Sequence, residues 1–502
     1  MRSLIGDLLQ LRLAEQPEDK LHKQLYNAIR LTILDGSLAP MSRLPPSRDL
    51  AQQLGLSRNT VLTVYEQLLA EGYIVSRQGS GTFIAQTLPD SFFSSVEILN
   101  SEEDSDLSQA FSLRGQTLLN HSSASPQQWG AFIPGVPDVT AFPHALFSKI
   151  QARLSRRPNA QQLTYSCQGG SPDLQLALVD YLRVARSVHC SPDQILITEG
   201  IHQAFDLISR MLCNPGDNAW VEEPAYWGIR NILRMNDVRI TPVSVDQYGM
   251  NPPDPPLSGR PPRLIFVTPS HQYPLGSVMS LERRQRLLAL ARYSGSWIVE
   301  DDYDSEFRFS GQPIPALQGL VRDPPVIYIG TFSKTLYPAL RLGYVVLPKA
   351  IASALKTAHG ELYRGGHLLA QNALAQFITQ GHYTAHIRRM RLLYARRRAF
   401  LAGLITRYLG EQALGDFNNN AGLHLILNLP LTADDVAIAQ AASARGILVR
   451  PLSRYYFGTR VHKGLLMGFA CVPEEEMERA FLKLLPCIHQ ACPEMALPTG
   501  AE

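Results

Sequence analysis

From Leu21 to Leu34 the apolar residues Leu25, Ala28, Ile29 and Ile33 recur at helical spacing, and Asp35-Gly36 marks the stop. Leu44-Pro45-Pro46-Ser47 leads into a short helix over 48–54, with Ser47 as its N-cap, and Gly55 turns the chain. Ser57 caps a second helix over 58–71, whose apolar side carries Val61, Val64, Leu68 and Leu69. Residues 73–84 then read as a hairpin with a small polar tip. Beyond 129 the period changes. Apolar runs at 194–198, 218–221, 263–267, 296–300, 326–329 and 343–347 alternate with helical stretches. Strands alternating with helices predict an α/β domain with a mostly parallel sheet.

Two short helices joined by a glycine-containing turn form a helix-turn-helix, although the same pattern suits a small helical docking domain. The second helix would enter the major groove N-terminus first, offering Ser57, Arg58, Asn59, Thr60, Thr63 and Tyr65 to base edges. Arginine suits guanine and asparagine suits adenine. The hairpin, with Arg77 at its base and Gly79 and Gly81 at its tip, would be a wing touching phosphate or minor groove. Residues 87–128 are rich in Ser, Asp, Glu, Asn and Gln and read as a flexible linker, with room for a short helix near 107–119. A free chain of about 42 residues spans roughly 35–40 Å, close to one DNA turn of about 34 Å.

Polar clusters fall just past the strand ends, where ligands sit in parallel sheets. Thr331-Phe332-Ser333-Lys334-Thr335 follows the run at 326–329, with Arg341 seven residues after Lys334. A lysine there can form a Schiff base with an aldehyde cofactor, while Thr331, Ser333 and Arg341 hold an anion beside it. Pyridoxal phosphate offers both groups. Ser-Lys-Thr alone would equally suit a polar surface loop. Gly200 and Ile201 open a helix after a strand, a place where backbone N–H groups bind phosphate. Tyr226 follows another strand and can stack on a flat ring, or simply be a buried aromatic. In Glu300-Asp301-Asp302-Tyr303-Asp304 a carboxylate can pair with a pyridinium nitrogen, and Tyr303 can reach a ring hydroxyl. A solvated acidic turn or a divalent metal site are the other readings, but no histidine or further carboxylate at ligand spacing supports a metal.

Composition narrows the setting. The 502 residues are too many for one core. Their net charge of +3 is weak, so DNA binding rests on the motif and not on charge. No run of about 18 apolar residues occurs, so no membrane helix is expected. The amphipathic start, with Asp7 inside it, lacks the basic opening of a signal peptide. Six scattered cysteines without C-x-x-C spacing read as reduced thiols, placing the protein in the cytoplasm.

The order Pro46-Ser47-Arg48-Asp49-Leu50-Ala51, Leu54-Gly55-Leu56-Ser57-Arg58-Asn59-Thr60-Val61 and Gly79-Ser80-Gly81-Thr82-Phe83-Ile84 resembles the winged helix of GntR-type repressors. That resemblance implies DNA contacts from Arg48, Ser57, Arg58, Asn59, Thr60 and the wing at Arg77, Gly79 and Gly81. Further on, Pro134-Gly135, Tyr165, Glu222-Glu223-Pro224, Pro269-Ser270-His271-Gln272, Glu300 to Phe307, Ser333-Lys334-Thr335-Leu336 with Arg341-Leu342-Gly343, and Pro451-Leu452-Ser453 resemble fold-type I aminotransferases. The combination is similar to MocR (GabR-type) regulators, which join the two. It implies a winged helix at 1–86, the linker at 87–128, and at 129–502 a fold-type I large domain with a smaller C-terminal α+β subdomain. It also implies an aldimine at Lys334, Asp301 at the pyridine nitrogen, Tyr303 at the ring hydroxyl and Tyr226 on the ring face. Phosphate contacts would come from Gly200, Ile201, Thr331, Ser333 and Arg341, and from Tyr165 across a homodimer.

Two departures bear on function. Tyr273-Pro274-Leu275-Gly276 stands where many fold-type I enzymes have Asn-Pro-Thr-Gly, and the late strand at 465–470 lacks the arginine that holds a substrate carboxylate. Arg450 or Arg454 would take that task, although a surface role suits Arg454 equally. The expected function is a transcriptional regulator that binds operator DNA and senses a small amine, an amino acid or pyridoxal phosphate itself. A working aminotransferase with a DNA-binding appendage is the alternative.

Overall fold

The computed structural model describes residues 4–13, 20–77, 80–86, 110–121, 127–166, 168–254, 260–311, 314–415, 421–458 and 462–495. They fall into two compact units, Met1–Asp106 and Leu107–Glu502.

In the first unit, helices α1 (Leu4–Leu13), α2 (Leu21–Leu34), α3 (Ser47–Leu54) and α4 (Arg58–Ala70) precede a hairpin of β1 (Ile74–Arg77) and β2 (Gly81–Ile84). Leu9, Leu25, Ile29, Leu50, Val61 and Leu68 form its core. Gly55 closes α3 at φ +67°, a left-handed turn that favours glycine, and Ser57 caps α4 by accepting the Thr60 N–H. Two sequence expectations are corrected. Ser47 is the first helical residue of α3, and Pro46 holds the cap position without a side-chain bond. The buried stripe of α4 runs Val61, Val64, Tyr65, Leu68, the true i, i+3, i+4, i+7 set, which leaves Leu69 exposed. Tyr65 is therefore core: its hydroxyl donates to the Pro45 carbonyl at 2.8 Å, and it cannot read DNA.

The second unit is built on an eight-stranded sheet. Its strands are β3 (Ile195–Thr198), β4 (Asn218–Glu223), β5 (Arg239–Asp246), β6 (Gly249–Met250), β7 (Leu264–Val267), β8 (Trp297–Asp302), β9 (Val326–Thr331) and β10 (Gly343–Val346). Their spatial order is β3-β10-β9-β8-β7-β4-β5-β6. The run β9-β8-β7-β4-β5 is parallel, and β10 is antiparallel to both its neighbours. Strands β3, β7, β9 and β10 are buried along their whole length, as expected when helices cover both faces. Gly343 pairs with both Thr198 and Thr331, so the ends of β3 and β9 meet the start of β10 at one edge. The chemistry gathers there.

A three-stranded antiparallel sheet, ordered β11 (His424–Leu429), β13 (Lys463–Gly468), β12 (Arg450–Pro451), makes the smaller C-terminal part with helices Asp435–Ala444 and Glu474–Ala491. Helix α5 (Leu113–Asn120) lies within the stretch read as linker. Ser112 caps it, and Arg114 donates to the Met235 carbonyl and pairs with Asp237, each at 3.2 Å. This part of 87–128 is thus tied to the second unit and is not free chain. Among the described residues, no helix is long and apolar enough to cross a membrane.

Candidate functional site

Lys334 stands three residues past the end of β9. Its turn is held by the Phe332 N–H on the Leu342 carbonyl at 3.1 Å and the Leu336 N–H on the Phe332 carbonyl at 2.9 Å. A Cβ at Gly135 would sit 2.9 Å from Lys334 Nζ, which places the lysine tip against this turn, and the φ of +71° favours glycine there. Lys334 lines a cavity of about 160 Å³ together with Ile201, Tyr226, Asp301, Tyr303, Arg450 and Arg454. Seven residues selected from the sequence therefore meet in one place. Gly135, Trp227, Tyr273 and Tyr455 complete much of the wall.

The electrostatics of the cavity are unbalanced. Burial holds the Lys334 amine below the ordinary lysine range, against the pull of Asp304 and Asp301, which favours the neutral, nucleophilic form. Asp301 is pushed up to about 8, first by burial and then by the charge of Asp302. Its Oδ1 is buried and accepts no hydrogen bond. A cationic N–H at that oxygen would relieve both conditions.

Glu222, Glu300 and Glu306 are each pushed up to about 7 by burial. A carboxyl with a raised folded pKa holds its proton more tightly in the folded state, so stability is lost as pH climbs towards that value. His386 and His424, pushed down to about 4 and about 3 by burial, act in the opposite sense. Their effect ends near pH 6.5, roughly the unfolded imidazole value. Among these groups only the carboxyls act above it. Lys334, held below the ordinary lysine range, opposes the carboxyls as pH rises, so the clean contrast is between proteins: between about pH 6.5 and about 8 the melting temperature of cofactor-free wild type is expected to fall more, or rise less, than that of Asp301→Asn. Identical pH profiles for wild type and Asp301→Asn would count against a raised Asp301.

A cradle for an anion adjoins the cavity. Helix α8 (Ile201–Leu212), which follows β3, opens at Gly200 with φ +87° and no side-chain cap. The Arg341 guanidinium lies 3.1 Å from where a Gly200 Cβ would stand, and it donates to the Glu199 carbonyl at 2.7 Å. Thr331 Oγ1 accepts the Ser333 N–H at 3.1 Å. A free helix N-terminus, two hydroxyls and an arginine suit a phosphate. An anion-binding cradle, a carboxylate whose Oδ1 lacks a partner and an amine in the same cavity fit pyridoxal phosphate.

Tyr165 does not join this site. It is 77% exposed and rests against Arg364, with 5.9 Å from guanidinium to ring. Other residues enter that sequence reasoning passed over. Tyr303 Oη lies 2.9 Å from His271 Nδ1, and both oxygens of Asp304 lie 3.2 Å from the same nitrogen. A carboxylate can only accept, so Nδ1 carries the hydrogen, and the phenol hydrogen of Tyr303 is left for the cavity. A Cβ at Gly422 would stand 2.0 Å from His271 Cε1, so the ring is closely confined. His202 Nε2 lies 2.8 Å from Tyr226 Oη and fixes that ring. A histidine next to Gln-Tyr-Pro was the available signal; its partner 33 residues away was not.

In the first unit Arg48, Ser57, Arg58, Asn59 and Arg77 are exposed, and Thr60 is half-buried. Ser57 and Thr60 hydroxyls bond each other at 2.8 Å, so at the start of α4 the long side chains free to reach out are Arg58 and Asn59. Arg77 lies over the Phe83 ring, 5.5 Å to its centre. Gly81 has φ +110°, and a Cβ there would stand 2.9 Å from Arg43 Nε, which brings Arg43 to the wing as well. Gly79 lies outside the described residues.

Residues 21–84 match the family described as bacterial regulatory proteins, gntR family, and residues 143–484 match aminotransferase class I and II. The chain is 39% identical to a probable rhizopine catabolism regulatory protein, MocR, of Rhizobium meliloti, over 92% of this chain and 93% of the relative. It is 32% identical to the pyridoxine biosynthesis transcriptional regulator PdxR of Corynebacterium glutamicum, over 90% of this chain and 93% of that protein. A multiple substrate aminotransferase from Thermococcus profundus superposes with a TM-score of 0.67 at 24% identity, covering 78% of this chain and all of that one, and shows the shared fold. The chain belongs to the MocR-type regulators, GntR-family transcription factors whose DNA-binding helix-turn-helix is joined to an aminotransferase class I and II domain with pyridoxal phosphate as its cofactor.

Proposed function

We propose that this regulator senses a small amine at the Lys334 cavity and passes the result to its winged helix. The observation that carries the reading is Lys334 sharing one cavity with the unpartnered Asp301 Oδ1, beside the open end of α8. Pyridoxal phosphate supplies an aldehyde that joins reversibly to a primary amine, an electron-withdrawing ring and a phosphate. Lys334 is the residue that anchors the aldehyde, and an effector amine competes with it. Asp301 holds the proton of the ring nitrogen, Tyr303 donates to the ring hydroxyl and Tyr226 covers the ring face. Gly200, Ile201, Thr331, Ser333 and Arg341 hold the phosphate. Arg450 and Arg454 hold an acidic group of the effector.

Operator contacts come from Arg48, Ser57, Arg58, Asn59, Thr60, Arg77, Gly79 and Gly81. Residues 1–86 carry the reading head and 129–502 the sensor. The protein works in the cytoplasm as a homodimer, in which Tyr165, exposed and away from its own cavity, reaches the partner's phosphate. Sensing becomes regulation when the effector binds one DNA-binding state better than the other.

The test is an absorbance spectrum of the purified protein titrated with amines, read alongside operator binding. The expected result is a visible band that shifts with one amine and then holds, with a matching change in operator affinity. Absence of any band after adding pyridoxal phosphate would sink the reading.

A further inference from the structure

Tyr303 lines the cavity, and two buried side chains behind it govern where its hydrogen points. His271 Nδ1 lies 2.9 Å from Tyr303 Oη and 3.2 Å from each oxygen of Asp304. A carboxylate accepts only, so Nδ1 carries a hydrogen, and a nitrogen that carries a hydrogen cannot take one from the phenol. Among the described residues, His271 is the one hydrogen-bond partner of Tyr303 Oη. The other ionisable groups facing Tyr303 are Asp304, Tyr273, Asp301 and Glu222. None of them bonds the phenol: the Tyr273 hydroxyl donates to Tyr455 Oη at 3.2 Å, and Glu222 Oε2 accepts from Thr268 Oγ1 at 2.6 Å. Burial first, and then the charge of Asp304, push the Tyr303 phenol well up, so it keeps its hydrogen.

The smaller C-terminal part closes over this pair. The Gly422 N–H donates to the Phe307 carbonyl at 2.8 Å. A Cβ at Gly422 would stand 2.0 Å from His271 Cε1 and 2.8 Å from Asp304 Oδ2, and its φ is +78°. The imidazole therefore has little room to turn away from Asp304. On its other side His424 packs with 5.3 Å between ring centres, and its Nε2 donates to the Pro274 carbonyl at 3.0 Å. His424 thus has its own partner and leaves Asp304 to His271.

We propose that His271 and Asp304 are a positioning pair that reserves the Tyr303 hydrogen for the ring hydroxyl of pyridoxal phosphate, and so sets the pH at which the visible band titrates. The proposal rests on Tyr303 lying at that hydroxyl and adds what aims it. A hydrogen bond to the ring oxygen makes it less basic. Without that bond the oxygen shares more tightly the proton of the nitrogen joined to Lys334, and the proton leaves at higher pH.

The experiment is a pH titration of the visible band of full-length protein loaded with pyridoxal phosphate, with the melting temperature of each variant beside it. Tyr303→Phe is expected to move the midpoint up by about one pH unit or more. Asp304→Asn should do the same although Tyr303 is intact, because an amide can donate to Nδ1, which then accepts the phenol hydrogen. His271→Asn places an amide N–H where Nδ1 stood and should keep the wild-type midpoint, whereas His271→Leu should move it. A pair that only holds the fold would lower the melting temperature of Asp304→Asn and leave its midpoint at the wild-type value, which would overturn the proposal. Should Asp304→Asn not melt cooperatively, the two His271 variants decide, and equal midpoints in them overturn it. A midpoint that Tyr303→Phe leaves in place, or a band that does not titrate at all, overturns it too, with the cofactor still bound. No band in the wild type would instead overturn the reading of the cavity, and this proposal with it.

Discussion

Lys334→Ala is expected to remove the visible absorbance band of the purified protein entirely. Lys334 is the sole lysine among the residues lining the cavity, and its Nζ lies against the turn at Gly135. No neighbouring amine can take over. Arg450 and Arg454 are too basic to serve as nucleophiles at neutral pH. The α8 N-terminus, Arg341 and Asp301 remain in the variant, so cofactor should still bind without covalent attachment and show the spectrum of the free aldehyde. Equilibrium dialysis separates the two cases. A variant that keeps the wild-type band would refute the assignment of Lys334, and one that neither binds cofactor nor melts cooperatively would indicate a folding defect instead. Lys334→Arg, with its charge kept, then serves as the second test.

Arg58→Ala is expected to weaken operator binding by roughly 5- to 150-fold, the range that follows from about 1–3 kcal/mol for a bidentate arginine–guanine contact. The cofactor spectrum should stay as in wild type, because Arg58 lies in the first compact unit and the cavity in the second. Arg58 is exposed on the first turn of α4, so its loss should leave the core of Val61, Val64 and Leu68 in place. Undiminished binding, measured at fixed salt, would refute α4 as the reading helix. Tyr65→Phe makes the contrast: it removes the bond to the Pro45 carbonyl and should lower the melting temperature of the first unit without relaxing base preference.

What could be read from the chain depended on distance along it. The helix-turn-helix and the strand ends are local patterns, so Ser57 as a cap, Gly55 as a turn and Lys334 just past a strand were all legible. The parallel sheet then gathers strand ends at one edge, which is why Asp301, Tyr226 and Lys334 meet although 75 residues separate Tyr226 from Asp301. Tyr65 was misread because an aromatic hydroxyl near a helix start looks available, whereas the periodicity of α4 turns it inward. The His271–Asp304–Tyr303 cluster was invisible because it depends on how two loops pack, and packing leaves no periodic trace. The attachment of α5 to Met235 and Asp237 was hidden for the same reason: its composition is that of a linker, and only the partner's position reveals the contact.

The bond between Ser57 and Thr60 bears on how such a protein finds its place on a chromosome. With these two hydroxyls bonded to each other, Arg58 and Asn59 are the long polar side chains that reach furthest from the leading end of α4. Two base pairs read by these side chains alone, each worth about 1–3 kcal/mol when wrong, give a discrimination of roughly thirty- to twenty-thousand-fold. A genome offers about a million or more competing positions. Those two contacts alone would leave a head bound elsewhere most of the time, so selection of a promoter must add the wing and the other contacts of the head, multiply the preferences of more than one head, or draw on the stiffness of the DNA.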